Sequence, residues 1–196
     1  MKRNQTRRLT LAAMMGAVSF VLMYFSFSPF ASFDLSALPD LIGGFVLGPV
    51  GAVEIIAVKV LLKLVFKGTS SMFTGEIQKF LLCTAYALPA VLYYQKHRTK
   101  RGAAVGLLLG TVAGVIVAIL TNVFLIFPAY MALYGMDWAA MVQMCTAVNP
   151  WITNVPTMVA FSIVPFNVIS FGVTSILAML LYKKISVPLK KFAMIG

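Results

Sequence analysis

The sequence predicts an all-α membrane protein with six transmembrane helices and both termini in the cytoplasm, and three observations support this prediction. Hydrophobic residues make up 61% of the chain and charged residues only 11%, whereas a soluble domain is about half apolar and about a quarter charged. The length of 196 residues accommodates about six spans of ~20 residues and leaves little for a separate soluble domain. The third observation is where the basic residues lie.

The basic residues are concentrated before the first apolar run, in one central loop, and after the last apolar run. Twelve of the 16 lysines and arginines fall there, together with none of the five acidic residues. The three clusters are Lys2, Arg3, Arg7 and Arg8; Lys96, Arg98, Lys100 and Arg101; and Lys183, Lys184, Lys190 and Lys191. Because basic residues stay on the cytoplasmic side of a membrane, both termini and the central loop are predicted to lie there. The formal charge of +11 therefore does not indicate nucleic-acid binding.

The apolar runs divide the chain, taken as one integral membrane domain over residues 1–196, into six predicted helices. Their approximate bounds are 9–27, 38–47, 51–66, 77–94, 103–133 and 151–182. Pro89 is predicted to interrupt the fourth helix, and residues 134–149 are predicted to form an outer loop. Three glycines at four-residue spacing in the fifth run predict a close-packing face: Gly106, Gly110 and Gly114.

Small residues also recur at four-residue spacing on the first helix, as Ala13 with Ala17 and as Ala12 with Gly16. Such a stripe lets another helix approach closely. The neighbour could be another helix of this protein or a helix of a partner. The residues alone favour packing within this protein.

Two asparagines lie inside apolar runs and are candidates for ligand binding. Asn167 follows Pro165, which removes a backbone donor and tends to kink the sixth helix. Asn122 lies in the fifth run. An amide has four hydrogen-bonding sites and few partners in lipid, so each asparagine could either hold a polar, planar ligand or bond a neighbouring helix. The residues alone leave both interpretations open.

The predicted orientation places most of the remaining polar side chains in or toward the outer half of the membrane. These are Asp34, Asp40, Thr69, Glu76, Tyr130, Asn149 and Asn154, with Ser170 reaching deeper from the same side. Lys59 lies nearest the middle of the third run, where an ionisable group usually faces a cavity or a partner. A nearly neutral outer half lined by aromatic rings and amides suits a neutral solute that contains a ring.

The sequence contains no pattern typical of an enzyme or of a metal site. Cys83 and Cys145 stand alone and are predicted to be small apolar packing residues. No Ser/His/Asp set, paired carboxylates or phosphate-binding glycine motif occurs. We therefore expect no catalysis and no cofactor, and because no ATP-binding motif is present, any energy for pumping must come from elsewhere.

A series of short motifs resembles the substrate-binding S component of energy-coupling factor (ECF) transporters, and most closely the riboflavin-specific branch. In chain order they are Asp34-Leu35-Ser36-Ala37-Leu38-Pro39, Ile42-Gly43-Gly44-Phe45, Gly48-Pro49, Lys59, Gly68-Thr69-Ser70, Gly75-Glu76, Asn122, Pro128-Ala129-Tyr130, Asn149-Pro150 and Pro165-Phe166-Asn167. The resemblance covers nearly the whole chain in the right order.

The resemblance implies a multi-pass protein of the bacterial cell membrane that binds riboflavin with high affinity from outside. It also implies association with a transmembrane coupling subunit and two cytoplasmic ATPases. Asn122 and Asn167 match positions that resemble flavin-contacting amides. The other implied substrate-binding residues are Ser170, Tyr130, Lys59, Glu76, Thr69, Asp34 and Leu38. Ala13 and Ala17, with Gly16 between them, match a motif that docks the coupling subunit, which reverses the preference for internal packing.

Two positions depart from the family pattern. The family usually has asparagine after the lysine of the third helix, where this chain has Val60, and often has lysine where this chain has Ser170. A hydroxyl can bond a ring carbonyl but carries no charge, so an S component for another vitamin or flavin stays open as an alternative. A less favoured alternative is a stand-alone secondary carrier that uses Lys59 and Glu54 as a charge relay. The chain lacks the two halves with matching interrupted helices that many such carriers show.

Overall fold

The computed structural model describes residues 2–24, 35–69 and 71–194, and these residues form helices joined by short turns. The α-helices are α1 (Lys2–Tyr24), α2 (Ala37–Leu47), α3 (Pro49–Lys67), α4 (Thr74–Lys96), α5 (Lys100–Thr121), α6 (Phe127–Tyr134), α7 (Trp138–Val148), α8 (Val155–Met158) and α9 (Val164–Met194). A π-helical segment, Asn122–Ile126, joins α5 to α6, and a second, Val159–Ile163, joins α8 to α9. Among the described residues, a helix occupies each of the six predicted stretches.

The all-α membrane class is confirmed. By length and composition, three helical stretches of the described residues can cross a membrane: Gln5–Met23, Lys100–Tyr134 and Val155–Tyr182. The helices α2 and α7 are apolar but shorter. The total of six spans and the cytoplasmic location of the termini stay predictions.

The turn between α2 and α3 consists of one residue, Gly48. Its φ of 90° is in the region that glycine adopts without steric cost. Pro49 follows at the start of α3, where its fixed φ suits a helix and its missing N–H costs no hydrogen bond. The Gly48-Pro49 pair therefore forms a tight turn that joins α2 directly to α3.

The glycines of α5 allow that helix to lie directly against α4. A Cβ atom on Gly106 would come within 2.7 Å of the carbonyl oxygen of Ala90, and one on Gly110 within 2.2 Å of that of Tyr86. Gly114 similarly leaves room for the ring of Phe171 on α9. The predicted close-packing face is confirmed, because only hydrogen atoms fit in these gaps.

The main core lies where α4 and α5 meet α2, α3 and α9. Its centre is the fully buried ring of Tyr86, which stacks on Phe171 with 4.4 Å between the ring centroids. The Tyr86 hydroxyl lies 2.8 Å from the hydroxyl of Ser175. A second apolar cluster joins α1, α2 and α3 around Met15, Ile42 and Ile55.

Two predictions about the helices were wrong. Pro89 does not interrupt the fourth helix, since α4 runs through it from Thr74 to Lys96. Proline is tolerated inside membrane helices where neighbouring groups satisfy the freed carbonyl. The predicted outer loop at residues 134–149 contains α7, which begins at a cap: the Asp137 carboxylate accepts a hydrogen bond of 2.8 Å from the backbone N–H of Ala140. The outermost helices also extend beyond their predicted ends, to Lys2 and to Met194.

A cavity lined by two asparagines

A cavity of about 330 Å³ lies among α4, the two π-helical segments, α7 and the start of α9. Its volume is at the lower end of the range for small-molecule sites, roughly 300–1,000 Å³. The lining residues are Gln78, Leu82, Asn122, Phe127, Cys145, Met158, Ser162, Ile163, Phe166 and Asn167. The structure therefore brings together the two asparagines that the sequence singled out.

Each of these asparagines uses one N–H of its side chain to bond its own helix. Asn122 donates to the carbonyl oxygen of Ala118 at 2.7 Å, and Asn167 donates to that of Ile163 at 2.8 Å. A backbone carbonyl can only accept, so these contacts fix which end of each amide is nitrogen. Within the described residues, each amide keeps one N–H and its oxygen without a partner. The bonds lie within one helix, so neither asparagine links two helices there.

Both asparagines lie beside a π-helical segment that a proline follows closely. Asn122 is the first residue of the segment that precedes Pro128, and Asn167 comes soon after Val159–Ile163 and Pro165. Proline removes a hydrogen bond and crowds the preceding turn, and a π turn is one way to relieve that crowding. Short π-helical segments inside helices are frequent at functional sites.

Three further lining residues carry an amide, a hydroxyl or a thiol and were not predicted from the sequence to contact a ligand. The side-chain amide of Gln78 donates a long hydrogen bond of 3.4 Å to the hydroxyl of Thr121, and Ser162 contributes a hydroxyl. Gln78 carries the same signal that identified Asn122, an uncharged amide in an apolar helix. Cys145, predicted to be a packing residue, is a half-buried free thiol in the cavity wall.

The helix α7 belongs to a small apolar cluster at one side of the cavity. Its buried members are Met141, Ile152 and Met158. Met158 contributes to both the cluster and the cavity wall. Tyr130 packs against this cluster and does not line the cavity, so the structure places this predicted ligand residue behind the wall.

Lys59 lies in a separate buried polar cluster between α1, α2, α3 and α4. Its ammonium group forms an ion pair with Asp40, and both side chains are fully buried. The Ser19 hydroxyl lies 2.7 Å from the other carboxylate oxygen of Asp40. Lys59 also donates to the hydroxyl of Ser36 and to the thiol of Cys83, each at 3.3 Å. The cluster satisfies its own charges, and none of its members lines the asparagine cavity.

Glu76 and Thr69 form a third polar group, at the connection between α3 and α4. The Glu76 carboxylate lies 3.0 Å from the ammonium group of Lys63 and accepts a hydrogen bond of 3.0 Å from the Thr69 hydroxyl. This connection turns through Phe73, which has a φ of 66°, an uncommon value for a residue with a side chain. The Glu76 carboxylate is thus bound by a lysine of α3 and by a hydroxyl of the loop that follows α3.

The remaining predicted ligand residues either do not line the cavity or lie outside the described residues. Leu38 packs against both apolar clusters of the core. Ser170 is half-buried and does not line the cavity, and its backbone carbonyl accepts a hydrogen bond from Thr174. Asp34 lies outside the described residues.

The small-residue stripe on α1 divides between two faces of the helix. Ala13 and Ala17 are exposed, whereas Ala12 and Gly16 are buried. A Cβ atom on Gly16 would come within 2.6 Å of the side chain of Val58 on α3. Gly16 therefore serves packing within the protein, and the docking hypothesis rests on Ala13 and Ala17.

The fold defines an all-α membrane protein, and the cavity between its helices has the size of a small-molecule site. A family model described as "ECF transporter, substrate-specific component" matches residues 7–182. The chain belongs to this family, which confirms the resemblance found in the sequence motifs.

The relatives of the chain include several proteins named as riboflavin transporters. Riboflavin transporter RibU of Staphylococcus aureus (strain TCH60) is 29% identical over 193 residues, covering 96% of this chain and 95% of that protein. Riboflavin transporter FmnP of Bacillus subtilis (strain 168) is 27% identical over 189 residues, covering 92% and 93%. A solved structure, described as "Structure and mechanism of the S component of a bacterial ECF transporter", matches with a TM-score of 0.71 and 29% identity over 95% of this chain and 99% of that one.

Proposed function

We propose that this protein is the riboflavin-binding subunit of an ATP-driven ECF-type uptake transporter, and that it captures the vitamin at the outer face of the cell membrane. The observation that carries the proposal is the meeting of Asn122 and Asn167 in one cavity, each with an N–H and an oxygen that no described residue uses. The names of the full-length relatives support the choice of ligand.

The chemistry of the amides fits the edge of a flavin. An isoalloxazine ring presents carbonyl oxygens and an imide N–H along one edge, and an amide can pair with both kinds of group. The apolar part of the wall, with Phe127, Met158 and Phe166, suits the face of the ring system. Gln78 adds a third amide within reach of the same space.

Binding is tested by the quenching of riboflavin fluorescence on titration with the detergent-solubilised protein. We expect saturable quenching at one site per chain. Riboflavin 5′-phosphate serves as the matched ligand, because the described lining residues include no cation and would offer a charged phosphate no partner. Tighter binding of the phosphate, or no quenching by riboflavin, would contradict the proposed ligand.

The two departures from the family pattern lie outside the cavity wall. Val60 packs against the main core, and Ser170 does not line the cavity. An S component for a different vitamin therefore gains no support from these positions. A secondary carrier with a charge relay gains no support either. Lys59 is buried in an ion pair with Asp40, whereas Glu54 is exposed.

The proposed arrangement in the membrane is a single domain over residues 1–196 with six spans and both termini in the cytoplasm. It is supported by the basic clusters at the termini and around Thr99. In a variant with Cys83 and Cys145 replaced by serine, a cysteine at Thr99 should react only with a reagent in the cytoplasm. A cysteine at the exposed Ala139 should react only from outside. Labelling of both from one side would overturn the arrangement.

Coupling to the transporter is proposed to occur through the exposed face of α1, with ATP hydrolysis in two separate cytoplasmic subunits. Ala13 and Ala17 allow a helix of a membrane-embedded coupling subunit to approach closely. Exposed apolar side chains flank them, with Met14 at 57% and Val18 at 50% exposure.

Ala17→Leu should lower riboflavin uptake by cells and leave riboflavin binding by the isolated protein unchanged, because only the approach of a partner is blocked. Gly16→Leu is the contrasting variant on the same helix. Its side chain would collide with Val58, so it should lower thermal stability as well as uptake. Loss of both binding and stability in Ala17→Leu would assign that face to packing within this protein.

A further inference from the structure

A large groove lies between α5 and α9, and none of its described lining residues belongs to the asparagine cavity. It has a volume of about 730 Å³ and is lined mainly by apolar atoms. The rim carries exposed large side chains, with Leu108 at 64%, Ile176 at 63% and Leu180 at 66% exposure. Neither the proposed ligand site nor the proposed docking face of α1 includes this groove.

One part of the groove wall has no side chain, because Gly172 lies there. A Cβ atom on Gly172 would meet nothing within 4 Å, unlike those on the glycines that pack α5 against α4. The two aliphatic hydroxyls in the wall already have partners: Ser175 lies 2.8 Å from the Tyr86 hydroxyl, and Thr111 donates to the carbonyl of Leu107. Apart from Lys100 and the Tyr182 hydroxyl, the groove therefore offers an apolar surface to its occupant.

A cation closes one end of the groove. Lys100 is exposed and belongs to the lining. It is the first residue of α5, where the helix dipole also favours an anion. Arg101 beside it and Lys184 on α9 are exposed too, and neither α5 nor α9 contains an aspartate or a glutamate. This end of the groove is suited to a negatively charged group.

The length of the groove corresponds to one leaflet of a membrane. The lining residues of α9 run from Val168 to Tyr182, which spans about 21 Å at 1.5 Å per residue. Half of a bilayer with its headgroups measures roughly 20–22 Å. An acyl chain lying along the groove would thus place its phosphate near Lys100.

We infer that this groove is a specific site for one anionic phospholipid, with an acyl chain over Gly172 and the phosphate at Lys100. The charge at one end, the apolar length and the match to one leaflet together favour a lipid over a helix of another protein. A helix of another protein would have to bring its own acidic side chain to Lys100, because α5 and α9 supply none.

The test is native mass spectrometry of the full chain in detergent, titrated with palmitoyl-oleoyl phosphatidylglycerol or with the zwitterionic phosphatidylcholine of the same acyl chains. We expect one tightly retained phosphatidylglycerol per chain. Lys100→Gln should lower the preference for phosphatidylglycerol by about fivefold, the effect of one lysine near an anionic surface. Lys96→Gln is the matched control, because Lys96 is exposed in the same basic cluster and does not line the groove.

Gly172→Leu should lower the retention of both lipids, because the added side chain fills the groove. Leucine is a better helix former than glycine and has room here, so the variant should fold, as thermal unfolding followed by circular dichroism will check. Equal retention of the two lipids by the unaltered chain would overturn the inference. So would equal effects of Lys100→Gln and Lys96→Gln, or a Gly172→Leu variant that keeps its lipid and loses a co-purifying protein.

Discussion

Two of the polar groups in the described part of the protein differ in how far their members satisfy one another's hydrogen bonds. The Asp40–Lys59 cluster satisfies its charges internally, with Ser19, Ser36 and Cys83 as further partners. The asparagine cavity leaves an N–H and an oxygen unused on each of Asn122 and Asn167 among the described residues. Hydrogen-bonding groups without a partner at a cavity can bind a ligand. The groups of the Asp40–Lys59 cluster already bind one another. The comparison separates a group that holds helices together from a group that can bind.

The largest effect is expected from breaking the closed cluster. Lys59→Met leaves the carboxylate of Asp40 buried without its cation, which costs ~3–5 kcal/mol. The measurement is thermal unfolding in detergent followed by circular dichroism. The double variant Asp40→Leu/Lys59→Met removes both charges and should recover most of the lost stability. A single variant as stable as the unaltered protein would show that the pair does not hold the helices.

The second-largest effect is expected in the asparagine cavity, where a substitution should lower the affinity for riboflavin. Asn167→Leu removes both unused groups of one amide and leaves the ligand's polar edge unpaired, which costs ~1–3 kcal/mol. Riboflavin affinity should therefore fall at least about tenfold, and for Asn122→Leu somewhat less. Stability should change little, since the side-chain bond of Asn167 lies within its own helix. Unchanged affinity in a folded Asn167→Leu protein would remove this amide from the ligand site.

A smaller loss of affinity is expected at Gln78. Its amide already donates a weak bond to Thr121, so it offers the ligand less than the asparagines do. Gln78→Leu should weaken riboflavin binding about two- to tenfold, the effect of one net hydrogen bond. The fluorescence titration that measures Asn167→Leu also measures this variant. An effect larger than that of Asn167→Leu would move the centre of the site toward α4.

The smallest effect is expected at Ser170, which the sequence resemblance assigned to ligand binding. Because Ser170 does not line the cavity, Ser170→Ala should change riboflavin affinity by less than about twofold, below the loss of one net hydrogen bond. Parallel titrations of the two proteins give the comparison. A tenfold loss would mean that the ligand extends deeper than the cavity as it stands.

Features that depend on one residue in its own helix could be predicted from the sequence. An amide in an apolar run can be recognised without knowing its neighbours, so the sequence identifies Asn122 and Asn167, and the structure places them in one cavity. Gln78 is also an amide in an apolar run, and it was not predicted to contact a ligand. The glycine spacing of α5 can be recognised in the same way, because a helix face without side chains allows close approach of any neighbour.

Features that depend on a choice between distant partners could not be predicted. A charge in an apolar run such as Lys59 needs a cavity or a partner, and the family resemblance implies a ligand. The sequence alone does not say whether the partner is Asp40 or a ligand. The small residues of α1 posed the same problem, since helix periodicity alone does not tell which face meets α3. The helix α7 was missed because its 11 residues are too few to span a membrane, although Asp137 supplies a cap.

The π-helical segments make the geometry of the cavity sensitive to chain length. In a π turn each hydrogen bond closes one residue further along than in an α-helix. A π turn therefore takes up about one residue more than an α-helical turn, and the helices on its two sides keep nearly the same faces. Deleting a single residue such as Ala160 would let α8 and α9 join as one regular helix, with Met158 and Asn167 still on the cavity side. The turn between them would lose its widened backbone and shift Ser162 and Ile163, which line the cavity. A deletion of one residue can thus reshape part of such a site while most of its lining stays in place. A deletion variant that keeps its helical circular dichroism and loses riboflavin binding would demonstrate this.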